Sequence, residues 1–346
     1  MSFERLAAQK PPTRNGKPPA KTSLGAIRTI QTPVMMNRDR FQTLLLVAAL
    51  VILPIIFTSM NPQYLSPGNL DSMMRQASVL LLVVAAGTAP ILLGSIDLSV
   101  GAIVSLCAVS AALLAQSMGQ AAVFLVLPLG LLIGLFNGVI CSYIKLPSFL
   151  VTLGTSFAFG GIALLLSGGF PVQLISGPLN AAFQRSLFGI FPLPLVYAVI
   201  LWLLLIVFLR RTATGRFIYA IGGNERAAKV CGVNVRWVKA VAFGASGLCC
   251  ALAGVLVLFS TTAATPDIGN SFLLPSIAAI VMGGTPLSGG QGGAARGLIG
   301  TLILVELTNG MLIIGLPPAA QQIVQGLVVI LAVLLTFDRR GVAVVK

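Results

Sequence analysis

Three of the chain's eight carboxylates fall in or beside strongly apolar stretches: Asp71, Asp97 and Glu306. An ionised carboxylate is costly in hydrocarbon unless it is paired or solvated, so each is a candidate transport-path group, proton or cation site, or buried structural contact. Asp97 lies in "GSIDLSVG" (94–101), between Ser95 and Ser99 and just ahead of an apolar run. There it can cap a helix by accepting from free backbone N–H groups at the positive dipole end, or it can line a path. Glu306, in "LILVELTNGM", has no helix start beside it and carries Asn309 one turn on. It either lines a path or, protonated, bonds a neighbouring helix. Asn137, Ser156, Asn309 and Gln321 are polar within apolar runs and join Glu306 as candidate translocation-path residues.

Other chemistries are excluded by what is missing. The sequence holds no histidine, which removes imidazole bases and His-metal sites. Cys107, Cys141, Cys231, Cys249 and Cys250 lack metal-ligand spacing and fall mostly in apolar runs, where a thiol behaves as a small hydrophobe. No metal site and no catalytic residues are expected. No G-x-x-x-x-G-K-[ST] occurs, so no P-loop cradles a nucleotide here. An intramembrane enzyme would lack both a nucleophile–base pair and a metal cluster.

These residues need elements to hold them, and composition says which kind. The 346 residues are 57% hydrophobic and 9% charged, with mean hydropathy +0.99, against about 25% charged in soluble domains. A membrane protein of many spans follows. The net charge of +14 is concentrated: eight Lys and Arg lie in residues 1–40 and seven in 210–239. Such clusters fit cytoplasmic segments, not a nucleic-acid groove.

A span needs about 20 apolar residues. Candidates lie near 42–60, 76–94, 98–116, 121–140, 148–167, 188–209, 237–260, 271–284, 294–314 and 319–337. The expected fold is all-α, a polytopic membrane bundle of about ten transmembrane helices, some broken. With the N-terminus cytoplasmic, 20 of the 22 Lys and Arg fall on the cytoplasmic side and only Arg75 and Arg185 outside. The C-terminus is then cytoplasmic as well. Residues 1–40, rich in Pro and basic residues, read as a disordered cytoplasmic tail before a membrane domain over 41–340.

Gly130, Gly134 and Gly138 share one face of the fourth span, and Ser246, Cys250 and Gly254 one face of the seventh, as close helix packing requires. Gly and Pro interrupt the spans at Thr88-Ala89-Pro90, Pro128 and "GGTPLSGGQGG" (283–293), and broken helices favour a transporter over an anchor. "ILLGSIDLSVG" (91–101) echoes "IVMGGTPLSGG" (280–290), pairing Gly94 with Gly283, Ser99 with Ser288 and Gly101 with Gly290. Both copies then face the cytoplasm, a parallel relation and not the inverted one common in transporters.

The segment "RRTATGRFIYAIGGNERAAKVCGVNVRWVK" (210–239) is basic and amphipathic, with glycine turns and a short helix at 224–230 that Asn224 can cap. It is long for a connector and reads as a docking surface.

"GSIDLSVG", "GRFIYAIGGNERAAKVCGV" (215–233) and "GGTPLSGGQGG", in that order, resemble the ribose-type sugar permeases of bacterial ATP-binding-cassette (ABC) importers. The likeness covers roughly residues 42–338. It implies a multi-pass bacterial inner-membrane permease that forms a homodimer amid membrane lipid, is fed by a periplasmic sugar-binding protein and is driven by a cytoplasmic ATPase that holds the ATP and Mg. It also implies that 210–236 is the ATPase-coupling loop, with Gly215, Gly222, Asn224, Glu225, Ala227, Ala228 and Gly232 as coupling residues and Glu225 docking against basic ATPase groups. Gly94, Asp97, Ser99, Gly101, Gly283, Gly284, Ser288 and Gly289 become the helix-break residues, with Asp97 expected to cap the break between spans two and three. The alternatives are an ABC permease for a polyol, inositol or sugar-derived signal, and an ion-coupled secondary transporter using Glu306 or Asp97.

Overall fold

The computed structural model describes residues 33–336, and those from Gln42 onward form one compact unit. The chain is helical almost throughout: α1 (Pro33–Met60), α2 (Pro67–Leu92), α3 (Val100–Met118), α4 (Val126–Val139), α5 (Ser148–Ser167), α6 (Pro178–Gln184), α7 (Leu193–Arg211), α8 (Ala213–Gly223), α9 (Glu225–Val230), α10 (Val235–Thr261), α11 (Asn270–Met282), α12 (Ala294–Ile313) and α13 (Pro318–Thr336). Two-residue antiparallel bridges join Val172–Gln173 to Ala263–Ala264 and Ser186–Leu187 to Phe191–Pro192. α1 begins inside the stretch read as a tail; the rest of that stretch, 1–32, lies outside the described residues.

Each expected span coincides with a helix, and among the described residues seven are long and apolar enough to cross a membrane: α2, α3, the helical run 120–144 containing α4, α5, α7, α10 and α12. α11, at 270–282, is shorter. For α11 the cause is visible. Its N-terminus starts inside the bundle, where the Gly269 N–H donates to Ser105 Oγ in the second turn of α3 at 2.9 Å. Non-helical backbone at such a depth is tolerated because protein surrounds and satisfies it.

α10 is the central helix and packs on α2, α3 and α4. Its small residues form two faces. Gly244, Gly247 and Ala251 meet the glycine stripe of α4, where β-carbons on Gly130, Gly134 or Gly138 would strike the α10 backbone. Gly254, one turn beyond Cys250, lies instead against Val104, Cys107 and Ala108 of α3. Without a hydrophobic driving force between helices in lipid, this close backbone contact is what holds α3, α4 and α10 together. α5 and α7 lie at the periphery, with most of their apolar surface outward.

Candidate coupling junction and helix breaks

The two glycine-rich motifs end their helices alike. At the end of α2, Gly94 takes a left-handed φ of 73° and the Ser95 N–H reaches back to the Pro90 carbonyl at 2.9 Å. At the end of α11, Gly284 takes φ 82° and the Thr285 N–H reaches back to the Ile280 carbonyl at 3.2 Å. Both are helix ends closed by a left-handed glycine. The structural match therefore pairs Gly94 with Gly284, one residue from the Gly94–Gly283 pairing read in the sequence. The left-handed position is what recurs; Gly283 is right-handed, at φ −63°, and backs onto the Arg296 backbone.

The two breaks touch. The Gly290 N–H donates to the Leu92 carbonyl, the last of α2, at 2.9 Å. A β-carbon on Gly94 would lie 2.9 Å from the Ser288 carbonyl oxygen, and one on Gly289 would lie 2.8 Å from both Gly94 Cα and Leu92 O. α8 ends on the same spot. A β-carbon on Gly222 would collide with Leu92 O and stand 2.5 Å from Gly290 N, while one on Gly290 would lie 2.7 Å from Gly223 N. Thus three sequence motifs separated along the chain meet in one junction of bare backbone.

The segment after Gly94 is held by side chains. Ser148 Oγ accepts from the Ile96 N–H at 3.1 Å and Thr152 Oγ1 from the Leu98 N–H at 3.0 Å, so the first turn of α5 supplies what a helix would. Asp97 does not cap α3. The cap position belongs to Ser99, and Asp97 Oδ1 accepts from the Ser99 N–H (3.0 Å) and hydroxyl (2.6 Å), closing the turn two residues earlier. Its Oδ2 accepts from Ser246 Oγ of α10 at 3.0 Å. Asn137 Nδ2 of α4 donates to Ser99 Oγ at 2.9 Å. All four side chains are buried, so this polar network ties α3, α4 and α10 at the break. Gly101 lies beside it, its Cα face against the Gly269 carbonyl.

α8 and α9 are ordered and seated. Thr212 caps α8, accepting from the Gly215 N–H at 3.0 Å, and Gly215 lies against the last carbonyls of α7, among them Phe208 and Leu209. Ile218, Ile221 and Ala228 are buried against Leu93, Leu205, Leu209, Val238 and Ala242. The Tyr219 hydroxyl donates to the Gly292 carbonyl at 3.3 Å; burial pushes this phenol's pKa up. Asn224 caps α9 by accepting from the Ala227 N–H at 3.0 Å, and Gly232 turns the chain after it with φ 85°. Glu225 is exposed but paired with Lys239 Nζ at 2.8 Å. The outward face of α9 is Arg226, Ala227, Lys229 and Val230, the last 88% exposed.

The expected path residues are not brought together. Asn137 joins the Asp97 network, Asn309 forms a reciprocal amide pair with Asn69, 2.9 Å each way, and Gln321 donates to the Leu316 carbonyl. Ser156 is half-buried on α5 and Glu306 half-buried on α12. Asp71 is held by Arg75 at 2.7 Å. A recess of about 660 Å³ opens beside the C-terminal ends of α3 and α5, lined by Ser110, Leu113, Leu114, Gln116, Ser117 and Leu166 and by none of the expected path residues. The residues missed from sequence, Leu92, Ser148, Thr152 and Tyr219, act through a carbonyl or a single hydroxyl. Only the hydroxyl pair at i, i+4 opening α5 was a readable signal.

Residues 69–333 match the family described as the permease component of branched-chain amino acid transport systems. The chain belongs to this permease family. It is 38% identical over 296 residues to the ribose import permease protein RbsC of Bacillus subtilis, covering 84% of this chain and 91% of the relative. The Escherichia coli K12 RbsC is 36% identical over 301 residues, with 84% and 91% covered. The D-allose transport system permease protein AlsC of Escherichia coli is 35% identical over 301 residues, covering 86% of the permease and 91% of the relative. No solved structure matches.

Proposed function

We propose that this permease is the membrane subunit of an ATP-driven importer of a monosaccharide. ATP hydrolysis is assigned to a separate ATPase chain, delivery of the sugar to a periplasmic binding protein, and the other half of the transporter to a second copy of the permease. Ribose and allose, named for its relatives, set the substrate class.

The observation that carries this reading is the seating of α8 and α9. A passive connector has no need of two capped helices packed into a buried cluster and abutting both helix breaks. The basic clusters support a cytoplasmic position for this loop and for both termini. The exposed Arg226, Lys229 and Val230 form the ATPase-facing surface, with Asn224 and Gly232 fixing α9, outward Ala227 letting the ATPase approach closely and buried Ala228 seating the helix on the permease. On α5, Gly154, Gly160 and Gly161 face open space, which suits approach of a second copy. Of the expected path residues, we keep Ser156 and Glu306, which the structural pairings leave free.

The test is gentle solubilisation from the native membrane and identification of what co-purifies. An ATPase with a P-loop, lost when Arg226 and Lys229 are both changed to Glu, supports the reading. Folded permease that is always recovered alone, even after crosslinking through 210–236, overturns it. Competition by unlabelled pentoses, hexoses and polyols against uptake then selects the solute.

A further inference from the structure

We infer that Gly222 is a positioning residue for transport, the seat through which displacement of α9 reaches both helix breaks at once. The inference rests on the reading of α9 as the ATPase-facing helix.

The geometry starts from the shortness of the link. Only Gly223 and Asn224 separate Gly222 from the first residue of α9, and the Asn224 N–H is itself bonded to the Ala220 carbonyl of α8 at 3.0 Å. α8 and α9 also share one buried cluster through Ile218, Ile221 and Ala228, so no slack lies between them. At the other end, Gly222 abuts the Leu92 carbonyl and the Gly290 amide, the two ends of a single 2.9 Å hydrogen bond. One partner is the last carbonyl of α2, which leads through Gly94 and Asp97 into α3. The other lies four residues before the start of α12.

A force arriving at Gly222 therefore acts on the bond that joins the α2–α3 break to the α11–α12 break. Backbone packed against backbone has no side chain that can change rotamer to absorb a displacement, so the contact passes it on. A second fastening, Tyr219 Oη to the Gly292 carbonyl, holds the same loop two residues further along and makes α8 a two-point lever. The neighbouring Gly223 supplies a control in the same turn, because a β-carbon there meets nothing within 4 Å.

The test uses the permease with its ATPase and binding protein in lipid nanodiscs and proteoliposomes. For Gly222→Ala we expect the ATPase to remain bound in wild-type amount, while uptake and the stimulation of ATP hydrolysis by loaded binding protein fall roughly tenfold. Gly223→Ala should match wild type in all three. Wild-type uptake by Gly222→Ala, or equal damage from Gly223→Ala, overturns the inference and leaves ATPase docking intact. Loss of the ATPase from α9 variants is the separate readout for docking itself.

Should Gly222→Ala fail to accumulate, the wild-type complex answers the same question. Hydrogen exchange in peptides covering Gly290 should differ between nucleotide-free and ATP-bound states. Identical protection in both, with α9 peptides changing, overturns the inference.

Discussion

Asp97 and Ser246 lie 149 positions apart in the chain and share a hydrogen bond of 3.0 Å inside the bundle. The carboxylate that looks misplaced in an apolar run is there because three donors converge on it: one backbone N–H and two hydroxyls. Two oxygens with several lone pairs can accept all three, which no neutral side chain of that size can do. Asp97 thus closes the break and fastens it to α10.

Replacing Asp97 with Ala strands those donors in a buried site. The expected loss is about 1–3 kcal/mol, read as a lower thermal unfolding midpoint of the purified permease. Asp97→Asn keeps one acceptor oxygen and should fall between. Abolished uptake in Asp97→Asn at unchanged unfolding midpoint would place Asp97 on the substrate path instead.

The glycine stripe of α4 should tolerate nothing larger. A β-carbon on Gly134 would strike the Phe243 carbonyl and lie 2.9 Å from its carbon. Gly134→Ala should cost about 1–3 kcal/mol by overpacking, seen as a loss of the monodisperse peak in size-exclusion chromatography. Gly326→Ala on α13, with nothing within 4 Å, should leave that peak unchanged or gain up to about 1 kcal/mol from helix propensity.

The positions of most helices were legible in the sequence because apolar runs in a membrane protein are long and their interruptions abrupt. α5, read as 148–167, begins and ends there, bounded by Pro147 and by left-handed Gly168. What could not be read was depth and contact. The apolar run of α11 gives no sign that its helix starts beside Ser105, since that depends on a hydroxyl more than a hundred residues away. The junction was legible as three glycine motifs but not as one place, because backbone atoms meet there and side-chain chemistry leaves no pattern. The pairing of Gly94 with Gly283 was misread for a related reason: identity can slide by one residue, a left-handed turn cannot.

Asn309, expected on the path, is bound to Asn69 by two mutual hydrogen bonds. Deleting either amide removes this pair, and deleting Asn69 also removes its 2.8 Å donation to the Tyr64 carbonyl. Asn309→Ala should lower stability by about 1 kcal/mol, Asn69→Ala should cost more, and the double variant should be little worse than Asn69→Ala alone. Unfolding midpoints of the four proteins check this. Additive losses, with a raised KM for uptake only in Asn309→Ala, would return Asn309 to the path.

Glu306 decides between the ATP-driven reading and the ion-coupled alternative. Its Oε2 is buried without a hydrogen-bond partner, which is the condition expected of an ion-carrying carboxylate and also of one held neutral beside a path. The two differ in what Gln does. Gln keeps the shape and a carbonyl acceptor but can neither carry a proton nor balance a cation. In an ATP-driven importer, Glu306→Gln should retain uptake within about threefold of wild type, a change of roughly 0.6 kcal/mol, and uptake should persist when the proton gradient is collapsed while ATP is maintained. In a secondary transporter the same substitution should end concentrative uptake, and collapse of the gradient should do so at once. Uptake assayed in proteoliposomes, with ATP inside and the gradient set independently, separates the two outcomes.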